Sequence, residues 1–206
     1  MATQFLLQPV HPFRLDLTAW ALQRRPGNLI DRWDGAAYRR VLTVDGSTFE
    51  IAVSQAGEAA GTLVVTIGGD PLRRGTKQRT RELVVSALGI RVDLSSFYRM
   101  TEHHSRLKIL ARSFRGLKPP RFFSIYEGLI NGIACQQLSL SLGIQLLGRL
   151  ARRFGPSVDN GGSVNYGFPR PTDLANAKIS DIKELGFSLQ KARAMAEISQ
   201  CATTRQ

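Results

Sequence analysis

Cysteine is scarce in this sequence, and long apolar runs are missing. The only cysteines in 206 residues are Cys135 and Cys201, far apart and without a C-x-x-C pair, so neither a disulfide framework nor a zinc site is predicted. No stretch approaches the roughly 18–20 apolar residues that a membrane-spanning helix needs. The N-terminus lacks the basic region and apolar run of a signal peptide. We therefore expect a cytoplasmic protein with no membrane partner and no metal.

Acidic side chains are also in deficit. The chain has 28 Lys and Arg against 16 Asp and Glu, a formal net charge of +12. A soluble domain this basic usually binds polyanions, with an anionic membrane surface as the rival partner. The content of 43% hydrophobic and 21% charged residues is typical of a globular rather than a disordered chain.

The first half of the chain has the pattern of an α+β domain. Strands are predicted at 12–18, 38–44, 48–53 and 62–67, and Asp45-Gly46 is a strong hairpin signal between two of them. The last three strands should form an antiparallel meander, with loops at 57–61 and 68–71. Helices are predicted at 18–25, 72–88, 94–100 and 105–114. We expect His103 and His104 to be solvated helix residues, and Trp20 to lie in the core.

The second half is helical by pattern. Residues 115–122 (R-G-L-K-P-P-R-F) predict a linker because Pro119-Pro120 cannot continue a helix. The predicted domains are therefore 1–114 and 123–206. Helices are expected at 123–137 and from a Ser139 N-cap to Gly155-Pro156, followed by a loop at 159–167. Three shorter helices are expected at 173–177, 181–185 and 189–200, capped by Thr172, Ser180 and Ser188.

Several motifs occur in an order that is known from one protein family. They are G-L-K-P-P-R at 116–121, C-Q-Q-L-S at 135–139, R-R-F-G at 152–155, F-P-R-P at 168–171 and L-G-F-S-L-Q-K-A at 185–192, with Y-R-R-V-L-T-V-D-G at 38–46. This series resembles the DNA-3-methyladenine glycosylase II family of the helix-hairpin-helix glycosylase superfamily. The resemblance implies an N-terminal antiparallel-sheet domain and an incomplete all-helical glycosylase domain.

The resemblance also implies a DNA-contacting turn. A glycosylase must extrude the damaged nucleotide from the duplex, and a side chain must fill the gap. The family places this wedge where Gln136, Gln137, Leu138 and Ser139 stand, with Gln137 as the wedge and Leu138 in support. The residues alone favour a structural interpretation, in which Gln136 and Gln137 end one helix and Ser139 caps the next; the resemblance shifts the preference to the wedge.

The family's hairpin of the type L-P-G-I-G-x-W-T-A and its catalytic Asp have no match here. The resemblance therefore implies a chain truncated before both, with no catalytic residue and no cofactor. Asp173, Asp181, Glu184, Glu197 and Glu127 remain as acids without an assigned role. We expect Asp173 and Asp181 to stabilise helix N-termini.

Truncation has a consequence for packing. Helices 123–137 and 139–154 would lose apolar neighbours, so we expect an exposed patch around Ile133, Ile144 and Leu147. The expected function is a base-excision-repair glycosylase for alkylated bases, binding damaged double-stranded DNA as a monomer. The alternative is a non-catalytic helix-turn-helix module with residues 140–153 in the major groove.

Overall fold

The computed structural model of the protein describes residues 3–55, 61–69 and 73–204. This part combines antiparallel sheets with helices, so the predicted α+β class is confirmed. The strands are β1 (Thr3–Leu7), β2 (Arg32–Trp33), β3 (Ala37–Val44), β4 (Ser47–Gln55), β5 (Leu63–Ile67), β6 (Ser157–Asp159) and β7 (Val164–Tyr166). The helices are α1 (Leu15–Gln23), α2 (Thr76–Ala87), α3 (Ser95–Thr101), α4 (Ser105–Ser113), α5 (Ile125–Cys135), α6 (Leu140–Phe154), α7 (Pro171–Ala175), α8 (Ile179–Glu184) and α9 (Leu189–Thr204). Within the described ranges, no helix is long and apolar enough to cross a membrane.

The main sheet has five antiparallel strands in the order β1-β5-β4-β3-β2. The predicted meander is its centre, β3-β4-β5. Asp45 and Gly46 close the β3–β4 hairpin with φ values of +52° and +76°, as a type I′ turn requires. Parts of the predicted loops at 57–61 and 68–71 lie outside the described residues.

The prediction of a strand at 12–18 was wrong. Residues from Leu15 onward form helix α1, because Leu15, Ala19 and Leu22 share one buried face at helical spacing. The strand that pairs with β5 is instead β1, whose five residues gave too short a pattern to stand out. Helix α2 begins at Thr76, after Gly75 with φ +90°. Helices α3 and α4 lie where the pattern predicted them.

Two sequence expectations fail in the C-terminal half. The segment predicted as a loop at 159–167 includes the last residue of β6 and all of β7, which form a hairpin in which Val158 pairs with Asn165. Helices α7 and α8 each begin two residues earlier than expected, so Thr172 and Ser180 are not their N-caps; the N-cap residues are Arg170 and Lys178. Pro171 explains the first shift because its fixed φ favours the first position of a helix. Ser188 caps α9 as predicted, accepting from the amide of Lys191 at 3.3 Å.

Buried apolar residues form two clusters. One lies between the main sheet and helices α1 and α2, and includes Ile51, Leu63 and Val84. The other lies among helices α5 to α9, and includes Ile130, Leu150 and Met195. The division of the chain at 115–122 remains a prediction.

The predicted exposed patch was wrong. Ile144 and Leu147 are 4% and 1% exposed, and Ile133 is partly buried against the same cluster. Leu174 on α7, Ile182 on α8 and Met195 on α9 pack in the same cluster. These three helices therefore supply the apolar neighbours that truncation was expected to remove.

Exposed apolar surface lies instead on α4, in which no residue is buried. Leu107, Leu110 and Phe114 face a groove of about 460 Å³ beside α3. The indole of Trp20 stacks on Phe114 with ring centroids 6.2 Å apart and is 57% exposed, so its expected core position was wrong. The reason is that α1 turns residue 20 away from the face that Leu15, Ala19 and Leu22 bury.

Candidate nucleic-acid interface

Helices α5 and α6 are joined by a four-residue turn, Gln136 to Ser139. Helix α5 begins at the N-cap Ser124, whose hydroxyl accepts from the amide of Glu127 at 3.0 Å. Ser139 caps α6 as predicted, accepting from the amide of Leu142 at 3.3 Å. The two caps set the start of each helix, so they also set where the turn projects.

The predicted site residues lie together at the tip of this turn, and all four are exposed. Gln136 leaves the helix with ψ 132°, and Gln137 has φ +56°. Left-handed backbone is unfavourable for a residue with a Cβ, and at functional sites it is held by surrounding contacts. The Leu138 amide then donates to the carbonyl of Cys135 at 3.3 Å, which closes the turn.

The close approach of the two helices requires Gly143. A Cβ added at Gly143 would lie 2.6 Å from the Cys135 Sγ and 3.1 Å from its Cα. Cys135 is the last residue of α5, so this contact positions the turn directly. Glycine is therefore needed here for its lack of a side chain.

Lys191 fixes the end of α5 from the opposite side. Its Nζ donates to the carbonyl oxygens of Ala134 at 3.1 Å and Gln136 at 2.7 Å. The last carbonyls of a helix lack intrahelical partners, and a lysine ammonium satisfies them well. Lys191 belongs to the motif L-G-F-S-L-Q-K-A at 185–192, but nothing in the sequence pairs it with the turn.

The start of α5 is held by a buried cluster that sequence reasoning missed. Arg40 on β3 lies 2.6 Å from a carboxylate oxygen of Asp31 and 2.7 Å from one of Glu127. Tyr38 donates to the same Asp31 oxygen at 2.6 Å. The Arg40 guanidinium also lies 4.2 Å from the Phe123 ring centroid.

Burial sets the protonation behaviour of this cluster. Burial raises the pKa of Glu127 above its usual value of 4.5, although Arg40 opposes the rise. The pKa of Arg40 is raised well above its usual value despite burial, because both carboxylates favour its charged form. Glu127 is thus paired with Arg40, and its side chain is 5% exposed rather than open to a substrate.

A third contact holds the middle of α5. Asn131 accepts from the Arg24 guanidinium at 2.8 Å and donates to the Glu127 carbonyl at 3.0 Å. Helix α5 is therefore fixed at its start by the sheet, at its centre by the end of α1 and at its end by α9. These contacts restrain the helix that leads into the turn.

The remaining candidate acids either form contacts that stabilise the fold or are exposed to solvent. Asp173 accepts from the Arg170 amide at 2.8 Å and pairs with its guanidinium at 2.6 Å, as expected for an acid in a first helical turn. Asp181 lies 3.6 Å from Arg153, and Glu184 and Glu197 are exposed. In the described ranges, no three His, Cys, Asp or Glu side chains are grouped as metal ligands would be. His103 and His104 are exposed as predicted, but they lie between α3 and α4 rather than within a helix, and His104 is the N-cap residue of α4.

Helix α6 is poorly suited to enter a DNA groove. Its residues Ile144, Leu147 and Leu150 are buried in the helical cluster. Of its basic side chains, Arg149 donates to the Leu185 carbonyl at 2.9 Å and Arg153 lies near Asp181. These contacts count against the helix-turn-helix alternative.

Comparison with solved structures gives the class of fold. The chain matches the 3-methyladenine DNA glycosylase of Archaeoglobus fulgidus with a TM-score of 0.80, over 95% of this chain and 66% of that one, at 24% identity. It also matches the 8-oxoguanine glycosylase/lyase of Clostridium acetobutylicum bound to double-stranded DNA, with a TM-score of 0.65 and 12% identity, over 100% of this chain and 66% of that one. The fold is that of DNA glycosylases.

Sequence comparison points to one branch of that class. The chain is 32% identical over 112 residues to the DNA-3-methyladenine glycosylase of Bacillus subtilis (strain 168), which is 50% of this chain and 37% of that protein. No family model matches the chain. The resemblance to DNA-3-methyladenine glycosylases is thus confirmed, over little more than a third of the length of this curated relative.

Proposed function

We propose that this protein is the lesion-recognising part of a DNA glycosylase of base excision repair that acts on alkylated bases. The observation that carries the proposal is the Gln136–Ser139 turn, with exposed Gln137 in left-handed backbone at the end of an anchored helix. Support comes from the 3-methyladenine glycosylase resemblance and from the net charge of +12. A basic surface holds the phosphates, while the wedge fills the gap that the extruded nucleotide leaves.

The amide of Gln137 suits this role chemically. It carries two N–H donors and one carbonyl acceptor, so it can hydrogen-bond the base left without a partner. Because the turn is anchored before binding, little ordering is needed when the side chain enters the stack. We propose that the protein binds as a monomer in the cytoplasm, on nucleoid DNA.

We assign no catalytic residue among the described acids. Asp31 and Glu127 are bound to Arg40, and Asp173 is bound to Arg170. The carboxylate that would stabilise the sugar cation as the base departs is therefore proposed to lie outside this set. We expect the 206 residues alone to bind damaged duplex without releasing methylated bases in a single-turnover assay. Base release would overturn this part of the proposal.

The binding test compares matched duplexes. One carries a stable abasic-site analogue and the other is intact, and affinity is measured over a range of salt concentrations. The proposal predicts tighter binding to the abasic duplex and a log-linear loss of affinity with salt. Gln137→Ala should lose the preference while keeping the salt dependence. Gln78→Ala, which removes an exposed glutamine from α2, is the control.

The helix-turn-helix alternative predicts a different result. A module that reads bases in the major groove would prefer one intact sequence over others, irrespective of an abasic site. Affinities for a panel of intact duplexes of different sequence, measured beside the abasic duplex, separate the two functions. Equal affinity for abasic and intact duplexes would contradict the glycosylase proposal.

A further inference from the structure

We propose that Lys191 is a positioning residue, whose ammonium holds the backbone of the Gln137 turn in the conformation that can enter DNA. This inference rests on the proposed function of the turn. Lys191 need not touch the lesion, because its Nζ already donates to the carbonyl oxygens of Ala134 and Gln136, at 3.1 and 2.7 Å. The second of these carbonyls belongs to the peptide group that joins Gln136 to Gln137.

The contact restrains the turn because of where it acts. The Gln136 carbonyl is part of the same peptide plane as the Gln137 amide, so holding the oxygen limits rotation of that plane. Gln137 has φ +56°, a conformation that a residue with a side chain leaves readily unless neighbouring contacts hold it. The Cys135 carbonyl between the two bonded ones accepts from the Leu138 amide at 3.3 Å. All three carbonyls from 134 to 136 are therefore occupied.

Lys191 is itself fixed at the start of α9. Its amide donates to the Ser188 hydroxyl at 3.3 Å, and its neighbour Ala192 is completely buried in the helical cluster. The α9 backbone thus provides a stable base from which the side chain reaches the end of α5. A long flexible lysine at an unanchored position would not restrain the turn in this way.

A phosphate contact is the competing role for a lysine near a DNA-binding turn. The two roles differ in their salt dependence. Removing a phosphate contact weakens binding to all duplexes alike and lowers the salt slope by about one. Removing a positioning contact leaves the slope unchanged and selectively weakens binding to the abasic duplex, since only that complex needs the wedge.

The test uses Lys191→Met, which keeps an unbranched side chain one atom shorter and removes the donors. Lys183→Met removes one positive charge from the exposed surface of α8 and serves as the control. Lys191→Met removes both hydrogen bonds, so we expect the abasic-to-intact affinity ratio to fall by at least about tenfold, the effect of losing a single charge-assisted hydrogen bond. The salt slope should equal that of Lys183→Met. Lys191→Arg, which keeps charge and donors, should retain most of the preference.

A measurement on the free protein separates this inference from the proposed function. Hydrogen exchange of the Leu138 amide should be faster in Lys191→Met than in Lys183→Met, while amides in the main sheet should be unaffected. Unchanged exchange at Leu138 would overturn the positioning role, whether or not DNA binds. Where the wild type does prefer the abasic duplex, an unchanged affinity ratio in Lys191→Met would also overturn it, as would a lower salt slope with no loss of preference. If exchange at Leu138 is faster in Lys191→Met but the wild type shows no preference for the abasic duplex, only the proposed function is contradicted.

Discussion

Arg40 on β3 and Glu127 on α5 form an ion pair of 2.7 Å, although they are 87 positions apart in the sequence. Both side chains are almost completely buried, at 2% and 5% exposure. Asp31 binds the other terminal nitrogen of the guanidinium at 2.6 Å. The cluster therefore connects the sheet to the first turn of the helix that leads to the candidate DNA-binding turn.

Removing the arginine should be far more damaging than neutralising its partner. Arg40→Met leaves two buried carboxylates without a counter-charge, so we expect a loss of about 3–5 kcal/mol in the free energy of unfolding. The loss should shrink at acidic pH, because burial raises the pKa of Glu127 and its carboxylate can then be protonated. Urea denaturation followed by circular dichroism across pH 4–8 measures both effects.

Glu127→Gln is the matched variant. It removes a charge that burial disfavours and keeps an oxygen that can accept from Arg40. Because Arg40 also retains Asp31, the loss in the free energy of unfolding should be much smaller than for Arg40→Met. Because burial raises the folded-state pKa of Glu127 above 4.5, its contribution is most favourable below 4.5 and declines as the pH rises. The free energy of unfolding of Glu127→Gln should therefore increase relative to that of the wild type as the pH rises. The opposite trend would contradict the direction of this shift.

Gly143 and Gly132 offer a paired test of the helix contact behind the turn. Gly143→Ala places a Cβ against Cys135, so we expect a loss of about 1–3 kcal/mol from overpacking. Gly132 lies on the exposed face of α5, and a Cβ there meets nothing within 4 Å. Gly132→Ala should instead stabilise by about 0.5–1 kcal/mol through helix propensity. Equal effects of the two substitutions in thermal unfolding would refute the close-approach argument.

Asp34 should contribute to the loss of folding stability at acidic pH. Hydrogen bonds from Arg39 and from the amides of Ala37 and Ala36 lower its pKa from 3.8 to about 2. A carboxylate with a lowered folded-state pKa stabilises the fold above about 3.8, and that stabilisation is lost as the pH falls towards about 2. Asp34→Asn should therefore flatten the profile between these values. An unchanged acid profile in Asp34→Asn would contradict this assignment.

Local signals in the sequence predicted much of the fold. Asp45-Gly46 predicted its hairpin, because left-handed backbone at both positions favours these residues. Ser139 predicted the start of α6 because a hydroxyl at that position satisfies a free amide. Strand β1 was missed, since five residues carry little periodicity and its pairing partner β5 begins more than 50 positions later.

The contacts that fix the candidate site could not be predicted in the same way. Arg40 has the pattern of any polar residue within a strand, and only the folded chain brings Asp31 and Glu127 to it. Lys191 likewise lies 55 positions from Gln136, so its contact depends on the packing of α9 against α5. The resemblance was enough to suggest the turn from the sequence. The contacts that restrain the turn could be identified only in the three-dimensional structure.

The central claim is that the Gln137 side chain occupies the gap in the base stack at a damaged site. A duplex with 2-aminopurine placed opposite an abasic-site analogue tests this most directly, because its fluorescence reports changes in stacking at the unpaired base. The account predicts a fluorescence change on binding of the wild-type protein that is absent with Gln137→Ala and present with Gln78→Ala. An equal change with wild type and Gln137→Ala, at saturating protein, would contradict it.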